Sequence, residues 1–493
     1  MIKRVVIAGG GTAGWITAAA LSLQLGDLLQ IVLIESDEIG TVGVGEASIP
    51  PMRAFHKLLK IDEREFMAAT SATFKLGISF ENWGKLGDQY LHAFGKTGKE
   101  TWLAEFHHFW LSAREKGFAG NFGDYCFEHA AAMANKFAAT PDGAVNYAYH
   151  LDAGRYATFL RRLSEEKGIK RIEGKIAKVK QNSTTGFIES IDLESGQVIE
   201  GDLFIDCTGF RGMLIEQTLH TGYEDWTHWL PCDSAAAVQT ESVGPAVPYT
   251  RSISRDYGWQ WRIPLQHRVG NGLVYCSRYM TDEAAKEFLL RNVEGEPLSQ
   301  PRVLKFRTGR RRKIWNKNCV AIGLSSGFLE PLESTSIHLI MMGITRLMQM
   351  FPFAGISETV VAHYNQMAYE ELEKIRDFII LHYKATSRED TPFWRFCKNM
   401  EVPDSLRQRI ELFAEEAQAF QLGGEIFRVD SWVQVMLGQG IIPKSYHPYV
   451  RLMPETQLRD FLRQLKNQVA QMVDKLPEHE AFVRSYCPAA VNT

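Results

Sequence analysis

Two short apolar runs flank an alanine-rich helical stretch near the start of the chain. Residues 4–8 and 31–34 are rich in β-branched side chains, residues 15–25 are rich in alanine, and the second run ends at Glu35. Such runs around a longer helical stretch are typical of a strand–helix–strand unit. The pattern predicts an α/β fold of Rossmann type, with two parallel strands side by side.

From about residue 353 the pattern changes to helical periodicity. Residues 359–384, 404–419 and 455–475 place apolar side chains at helical spacing, with charged residues between them. A chain of 493 residues also exceeds what one small core usually holds. We therefore expect a core over residues 1–352 and a helical C-terminal subdomain over residues 353–493.

A glycine-rich turn joins the first predicted strand to the first predicted helix. Gly9 permits the tight turn, Gly11 lets the backbone approach a pyrophosphate, and Gly14 allows close packing of helix on strand. The helix N-terminus offers unpaired amides to phosphates, and Glu35 stands where an acid binds a ribose hydroxyl. The turn predicts a dinucleotide site made by Gly9, Gly11, Thr12, Ala13, Gly14 and Glu35.

Two later segments favour FAD over NAD as the dinucleotide. Residues 201–210 and 319–324 each read as a strand that returns to the cofactor, as in the glutathione-reductase type of FAD domain. Each segment read alone is equally compatible with an ordinary buried strand. Residues 43–51 are small and then stiffened by prolines, which suits a loop lying close to a planar ligand, although an ordinary surface loop is the alternative. Gly45, Glu46 and Ala47 of this loop are assigned to the cofactor site.

Composition excludes several classes of partner. The net charge of -3 and the pI of about 6.6 give no general reason to expect nucleic acid or an anionic membrane. The basic cluster at residues 307–313 lacks the interleaved aromatics of a nucleic-acid site. Seven dispersed cysteines without a C-x-x-C pair indicate reduced thiols, neither a disulfide framework nor a metal site. Without a signal sequence or an apolar membrane span, we expect a soluble cytoplasmic protein.

Five motifs follow one another in a recognisable order. They are Gly14-Trp15, the 43–51 loop, Phe74-Lys75-Leu76-Gly77, Trp259-x-Trp261-x-Ile263-Pro264 and residues 331–337. Together they resemble the flavin-dependent tryptophan halogenase family. The resemblance implies a glutathione-reductase-type FAD domain with an inserted β-sheet substrate region, and a helical C-terminal part that covers the substrate site.

The resemblance also implies the chemistry. Reduced FAD, O2 and a halide (chloride or bromide) give hypohalous acid, which passes through the protein to Lys75. The lysine either holds hypohalous acid by hydrogen bonding or forms a haloamine, and burial would ease its deprotonation. Glu333 matches the family's catalytic glutamate, which helps to remove the ring proton, and Ser334 assists. The way the aromatic substrate is held then sets the position of halogenation.

The family pattern assigns further residues around the flavin. The backbone amides of Thr335 and Ser336 match the halide cradle, and Leu324 and Ile337 match positions beside the flavin ring. Known members usually have glycine where Ser336 stands, so a preference for bromide is a hypothesis. No metal site is expected.

Two aromatic groups carry alternative interpretations. Trp259 and Trp261 match the indoles that line the tunnel and keep substrate away from the flavin, but alternate positions on a strand suit a core role equally. His107 and His108 lie in a segment dense in flat rings and are candidates for the substrate pocket, or core histidines. The substrate is expected to be an aromatic, indole-like molecule.

The partners and the competing functions complete the expectations. A single Rossmann fingerprint indicates that a separate flavin reductase supplies reduced FAD, and the family makes a homodimer plausible. The alternatives are an FAD-dependent aromatic monooxygenase and a non-catalytic flavin-binding redox sensor.

Overall fold

The computed structural model describes residues 1–39, 45–139, 143 and 145–489. Its strands, in chain order, are Arg4–Ala8 (β1), Gln30–Glu35 (β2), Gly45–Ala47 (β3), Thr73–Lys75 (β4), Gly77–Glu81 (β5), Gln89–Ala93 (β6), Ala148–Asp152 (β7), Lys170–Glu173 (β8), Ile176–Gln181 (β9), Ile188–Leu193 (β10), Val198–Glu200 (β11), Leu203–Asp206 (β12), Tyr223–Asp225 (β13), Ser234–Thr240 (β14), Tyr249–Arg255 (β15), Gly258–Pro264 (β16), Val269–Tyr275 (β17), Arg302–Lys305 (β18), Gly309–Arg311 (β19), Trp315–Asn316 (β20), Cys319–Ala321 (β21) and Gly327–Phe328 (β22).

The α-helices alternate with strands in the first part of the chain and dominate its last third. They are Thr12–Leu25 (α1), Pro51–Leu58 (α2), Glu63–Ala69 (α3), Phe106–Glu115 (α4), Phe127–Met133 (α5), Ala153–Glu166 (α6), Asp282–Asn292 (α7), Ser336–Gln349 (α8), Glu358–Lys384 (α9), Pro392–Asn399 (α10), Asp404–Glu416 (α11), Val429–Gly438 (α12), Glu455–Asp474 (α13) and His479–Tyr486 (α14).

The six-stranded sheet confirms the predicted Rossmann unit. Its strand order is β20-β21-β12-β1-β2-β8, parallel throughout except for β20 at one edge. The strands around its centre are nearly fully buried, as expected for a parallel sheet that is covered on both faces. The two late segments predicted to return to the cofactor are β12 and β21, which extend this sheet beside β1.

A second, seven-stranded sheet carries the W-x-W strand. Its order is β18-β14-β17-β16-β15-β5-β6, and only the β15–β5 pair is parallel. A small sheet of order β3-β7-β4 lies next to it, and the chain passes from β4 to β5 at Leu76. Lys75 is therefore the last residue of a strand at the junction of two sheets. The remaining two sheets are three-stranded, with orders β11-β10-β9 and β13-β19-β22.

The last third of the described chain is helical, as predicted. The expected helices at 359–384, 404–419 and 455–475 are α9, α11 and α13, with ends within three residues of the expected ones. Buried apolar residues of α9 belong to the same hydrophobic core as those of β1 and α1. The division at residue 352 thus remains a prediction, because one apolar core extends across it.

The fold class, mixed α/β with a Rossmann-type domain, is confirmed. Within the described residues no helix is long and apolar enough to cross a membrane. All seven cysteines are free and buried, and the described histidines, cysteines and carboxylates form no group suited to a metal ion.

Candidate active site

Lys75 is fully buried and held by two oxygen atoms. Its Nζ donates a 2.7 Å hydrogen bond to Oγ of Ser334 and a 3.1 Å hydrogen bond to the carbonyl oxygen of Ser48. The ring centroid of Phe94 lies 5.2 Å from the same nitrogen. Burial lowers the pKa of Lys75 to about 7, although the negative charge of Glu333 acts in the opposite direction. At neutral pH both the amine and the ammonium are therefore accessible.

The short helical turn Pro331–Glu333 brings the carboxylate next to this lysine. Ser334 ends the turn in the left-handed region, with φ of +59°, a conformation that is rare for a residue with a side chain. Such backbone strain is often found where a side chain must be aimed at a site. Here it directs the hydroxyl of Ser334 to Lys75.

Glu333 is fully buried between two histidines. Nδ1 of His92 donates to both of its oxygens, at 3.0 and 2.9 Å, and Nε2 of His382 lies 2.9 Å from Oε1. Burial raises the pKa of the carboxyl, but the two histidines outweigh burial and bring the pKa down to about 2. Glu333 is therefore a carboxylate at neutral pH, adjacent in sequence to the serine that binds Lys75.

A second buried carboxylate precedes this turn. Oε2 of Glu330 accepts hydrogen bonds from Nε1 of Trp259 (2.9 Å) and from the hydroxyl of Tyr383 (2.6 Å), whereas Oε1 has no partner in the described part of the chain. Burial without a cation raises the pKa of Glu330 to about 7. The predicted tunnel residue Trp259 is therefore hydrogen-bonded to the residue that precedes the Pro331–Glu333 turn.

The other predicted tunnel residue lies beside the first. Trp259 and Trp261 are buried on the same face of β16, with ring centroids 6.0 Å apart. The indole of Trp261 covers Gly272, where a Cβ would lie 2.0 Å from the ring. This packing accommodates both the core interpretation and the tunnel interpretation.

The glycine turn fits a dinucleotide. Gly9 has φ of +106°, and a Cβ there would lie 2.3 Å from the carbonyl oxygen of Cys207, while a Cβ on Gly14 would lie 1.8 Å from that of Gly9. Among the residues that the structure describes, a Cβ on Gly11 would meet no atom within 4 Å, and no side chain caps the amides of α1. Open space before uncapped helix amides is what a pyrophosphate requires. Thr12 and Ala13 form the first turn of this helix.

Glu35 ends β2 beside the glycine turn, as predicted. Its carboxylate accepts hydrogen bonds from Nε1 of Trp15 (3.2 Å) and from Nε of Arg171 (2.5 Å). A Cβ on Gly10 would lie 1.6 Å from Oε2, so this glycine makes room for the acid. These contacts fix the orientation of the carboxylate, and its role in binding a ribose stays a prediction.

Of the residues predicted to lie beside the flavin, one follows β21 and the other lies in the first turn of α8. Gly323, with φ of +75°, brings its turn so close to α1 that a Cβ would lie 2.7 Å from that of Ala13. The next residue, Leu324, is 37% exposed, whereas Ile337 is fully buried in α8. Ser336 begins α8 and Thr335 directly precedes it, where helix amides lack intrahelical acceptors, and the buried Oγ1 of Thr335 has no partner among the described residues.

The predicted cofactor loop at residues 43–51 is partly a strand. Gly45, Glu46 and Ala47 form β3, which pairs with β7, and Gly45 approaches Gly270 so closely that a Cβ on Gly270 would lie 3.0 Å away. Gly43 and Val44 lie outside the described residues. Burial raises the pKa of Glu46 to about 7. The small side chains therefore serve strand packing as well as any ligand.

The predicted substrate histidines lie in α4. Nε2 of His107 donates to the carbonyl oxygen of Ala417 (2.7 Å), and Nδ1 of His108 accepts from the amide of His447 (3.1 Å). These contacts join α4 to later segments of the chain and do not involve Lys75 or Glu333. Their substrate role stays a prediction.

The sequence reasoning did not single out His92, His382, Ser48 or Glu330. His92 lies in Leu91-His92-Ala93-Phe94, only two residues before the ring that faces Lys75. His382 lies on a helix whose apolar periodicity gives no sign of a polar partner. A signal was present for two of them, because Ser48 lies within the 43–51 loop and Glu330 directly precedes the 331–337 segment that carries Glu333.

Comparison with known proteins identifies the family. The tryptophan halogenase family model matches residues 4–455. The chain is 33% identical to tryptophan 7-halogenase RebH of Lentzea aerocolonigenes, over 98% of each protein. Among solved structures, the flavin-dependent halogenase Xcc4156 from Xanthomonas campestris shares 56% identity at a TM-score of 0.99 over 100% of both chains. BrvH, a flavin-dependent halogenase from Brevundimonas sp. BAL3, shares 42% at a TM-score of 0.95, over 99% of this chain and 100% of BrvH.

The chain therefore belongs to the tryptophan halogenase family. It is a flavin-dependent halogenase, an oxidoreductase whose cofactor is FAD. The predicted family and activity are confirmed, and the monooxygenase and redox-sensor alternatives are not supported.

Proposed function

We propose that Lys75 and Glu333 form the centre at which a halogen is transferred to an aromatic ring. The observation that supports this most directly is the 2.7 Å hydrogen bond from Nζ of Lys75 to Ser334, the neighbour of Glu333, in a fully buried site. Bound FAD, in its reduced form and with O2, supplies the oxidising equivalents that convert halide into hypohalous acid. The residues of this chain then decide where the halogen goes.

Lys75 fixes the halogen at one point. As an ammonium it donates a hydrogen bond to hypohalous acid and polarises the oxygen–halogen bond, and as an amine it takes the halogen as a haloamine with release of water. A pKa of about 7 permits both routes near neutral pH. In either route the halogen is held beside Glu333, so that the orientation of the substrate decides which ring carbon reacts.

Glu333 acts on the ring proton. When the carbon–halogen bond forms, the bond from halogen to oxygen or nitrogen breaks, and the ring carbon carries an extra proton. A carboxylate held ionised by His92 and His382 takes this proton and restores the aromatic ring. The hydroxide or amide left by the halogen takes up a proton in turn, which closes the balance.

The substrate is proposed to be a flat, indole-like aromatic molecule. The groups around the reactive pair are themselves aromatic, because the Phe94 ring faces Lys75 and His92 lies 5.6 Å from Phe378 and 6.2 Å from Phe427, centroid to centroid. Such walls favour stacking and edge-to-face contact with a planar ring. RebH is named as a tryptophan 7-halogenase, which agrees with an indole ring.

Halide, reductase and assembly complete the proposal. The amides of Thr335 and Ser336 at the start of α8, with the unpartnered Oγ1 of Thr335, supply donors for chloride or bromide. A serine where glycine is usual changes the shape of this cradle, and the preference for bromide remains a hypothesis. A separate flavin reductase supplies reduced FAD, and the protein acts in the cytoplasm, with a homodimer as the proposed assembly.

The test is halide-dependent product formation. The enzyme is incubated with FAD, a flavin reductase, NADH and a panel of indoles and phenols, with bromide, with chloride, with both in equal amounts, and without halide. Mass spectrometry is expected to show a halogenated ring only when halide is present. An oxygenated product formed without halide would contradict the proposal, and a dominant chlorinated product in the mixed reaction would reject the bromide hypothesis.

A further inference from the structure

The two ring nitrogens of His382 have different surroundings. Nδ1 lies 2.8 Å from the carbonyl oxygen of Phe378, one turn earlier in α9. A carbonyl oxygen only accepts hydrogen bonds, so Nδ1 carries the donated proton. In a neutral imidazole the other nitrogen, Nε2, then holds a lone pair.

That other nitrogen faces the carboxylate of Glu333. Nε2 lies 2.9 Å from Oε1, both side chains are fully buried, and no atom of the described residues is aligned with Nε2 in a hydrogen bond. A lone pair so close to a carboxylate oxygen is repelled by it, and the repulsion is strong where water does not screen it. A proton on Nε2 converts the same contact into attraction between an imidazolium and a carboxylate.

The negative charge of Glu333 in a buried site has to be balanced by one extra proton nearby. Few of the groups around Glu333 and His382 can carry that proton. His92 donates to both oxygens of Glu333 through Nδ1, which its neutral form does without a further proton. Burial raises the pKa of Tyr90, on the same strand as His92, well above its usual range, so its phenol stays neutral. Apart from His382, the remaining group that could carry the positive charge is Lys75.

The contacts of Lys75 match those of a neutral amine. An uncharged amine has two N–H bonds, and Nζ has two hydrogen-bond acceptors, in Ser334 and Ser48. In the described part of the chain no carboxylate forms an ion pair with Lys75, whereas Glu333 is in contact with both histidines. The third side of the nitrogen faces the ring of Phe94.

We propose that the proton balancing Glu333 is carried by Nε2 of His382 and not by Lys75. His382 is then a positioning residue, which keeps Glu333 ionised and leaves Lys75 as a neutral amine. The protonation assignment stands on the contacts alone. Its catalytic consequence rests on the proposed function, because the neutral amine is the nucleophilic form of the lysine.

Nitrogen NMR of the full-length protein tests the assignment directly. With ¹⁵N-labelled histidine at a pH of about 8, where an unperturbed histidine is neutral, both ring nitrogens of His382 are expected to carry protons. The signals are assigned by their loss in His382→Gln. In Glu333→Gln the balancing charge is gone, so one ring nitrogen of His382 is expected to lose its proton. An unprotonated Nε2 in the wild-type protein would overturn the proposal.

Neutron diffraction of the wild-type protein gives the same answer without a variant. Two deuterons on Nζ of Lys75 and one on Nε2 of His382 support the proposal. Three deuterons on Nζ and none on Nε2 overturn it. This measurement decides the matter even where His382→Gln does not fold.

The pH profile of halogenation tests the consequence. In His382→Gln a polar side chain remains beside Glu333 but carries no charge, so the proton moves to Lys75. The acidic limb of kcat/KM is then expected to move upward by about one pH unit, which lowers the rate roughly tenfold near pH 7 and restores it at higher pH. His363→Gln, an exposed histidine on the same helix, is the control and keeps the wild-type profile. An unchanged profile in His382→Gln contradicts the positioning role, whereas absence of any halogenation by the wild type would contradict the proposed function and leave the NMR result standing.

Discussion

Two carboxylates lie three residues apart on one turn, in opposite electrostatic surroundings. Glu333 contacts two histidines, and its pKa is lowered to about 2, whereas Glu330 accepts from the neutral donors of Trp259 and Tyr383, and its pKa is raised to about 7. Both are fully buried, so burial alone does not decide their charge. The partners decide it, and the fold thereby places an ionised group and a readily neutralised group side by side.

His382 and Tyr383, which are neighbours in α9, contact the two carboxylates. The histidine reaches Glu333 and the tyrosine reaches Glu330, so one helix holds both ends of the turn. Glu333, with its contact to His382, takes part in the proposed proton transfer. The Glu330 side, through Trp259, holds the strand with the W-x-W motif against the same turn.

The largest expected effect is the loss of halogenation when Glu333 is replaced. Glu333→Gln keeps the size of the side chain but removes the base, so turnover to halogenated product is expected to fall by about 10²- to 10⁴-fold. Oxidation of reduced FAD is expected to continue, because Glu333 acts on the substrate. Product mass spectrometry and flavin absorbance measure the two steps, and wild-type turnover in the variant would remove Glu333 from the mechanism.

The next effect is a loss of folding stability when Glu330 is replaced. Glu330→Leu leaves the indole N–H of Trp259 and the hydroxyl of Tyr383 buried without an acceptor, at a cost of about 1–3 kcal/mol for each donor. Glu330→Gln, the matched control, keeps a carbonyl oxygen for both donors and is expected to lose much less at a pH below 4.5, where Glu330 itself is uncharged. Denaturant unfolding compares the two variants. Equal losses would mean that the hydrogen bonds contribute nothing measurable.

Opposite pH dependence of the two Glu→Gln variants sharpens the comparison. The folded-state pKa of Glu333 is below the ordinary 4.5, so its stabilisation is present above pH 4.5 and is lost as the pH falls toward 2. The folded-state pKa of Glu330 is above 4.5, so its ionisation destabilises the fold increasingly between pH 4.5 and 7.

Unfolding free energies of these variants measured from pH 3 to 8 check this. Relative to the wild type, Glu330→Gln is expected to gain about 3 kcal/mol over this range and Glu333→Gln to lose about 2 kcal/mol, since each pH unit between the folded-state and unfolded-state pKa corresponds to about 1.4 kcal/mol and the range begins one unit above the folded-state pKa of Glu333. Parallel curves would show that the two carboxylates do not differ in charge.

The smallest expected effect is that of Tyr383→Phe. It removes one hydrogen bond to Oε2 of Glu330, while Trp259 continues to donate, so stability should fall by about 1 kcal/mol. The contact between His382 and Glu333 should persist. A change in the pH profile of halogenation as large as that of His382→Gln would show that the two sides of the turn are not separate.

Much of the fold was predictable because its signals are local. The β1–α1–β2 unit follows from residues 4–35, where glycine spacing and the terminal acid coincide, and α9, α11 and α13 follow from helical periodicity. Strand β3 was not predicted, because its pairing with β7 depends on residues about a hundred positions away.

The site divides in the same way. Lys75 and Glu333 could be selected because they lie in short motifs, and the structure brings them together through Ser334. The partners His92 and His382 could not be selected, since a buried histidine near a carboxylate arises from the packing of β6 and α9 and leaves no local pattern. His107 and His108 show the converse, because a dense aromatic segment drew attention to residues whose contacts lie elsewhere.

The central claim is that Lys75 delivers the halogen after the flavin has reacted. The most direct test is a single-turnover reaction of Lys75→Ala with reduced FAD, O2, bromide and a substrate that the wild type halogenates, followed by flavin absorbance and product mass spectrometry. We expect flavin oxidation at the wild-type rate with no halogenated product. Halogenation at the wild-type rate by Lys75→Ala would contradict it.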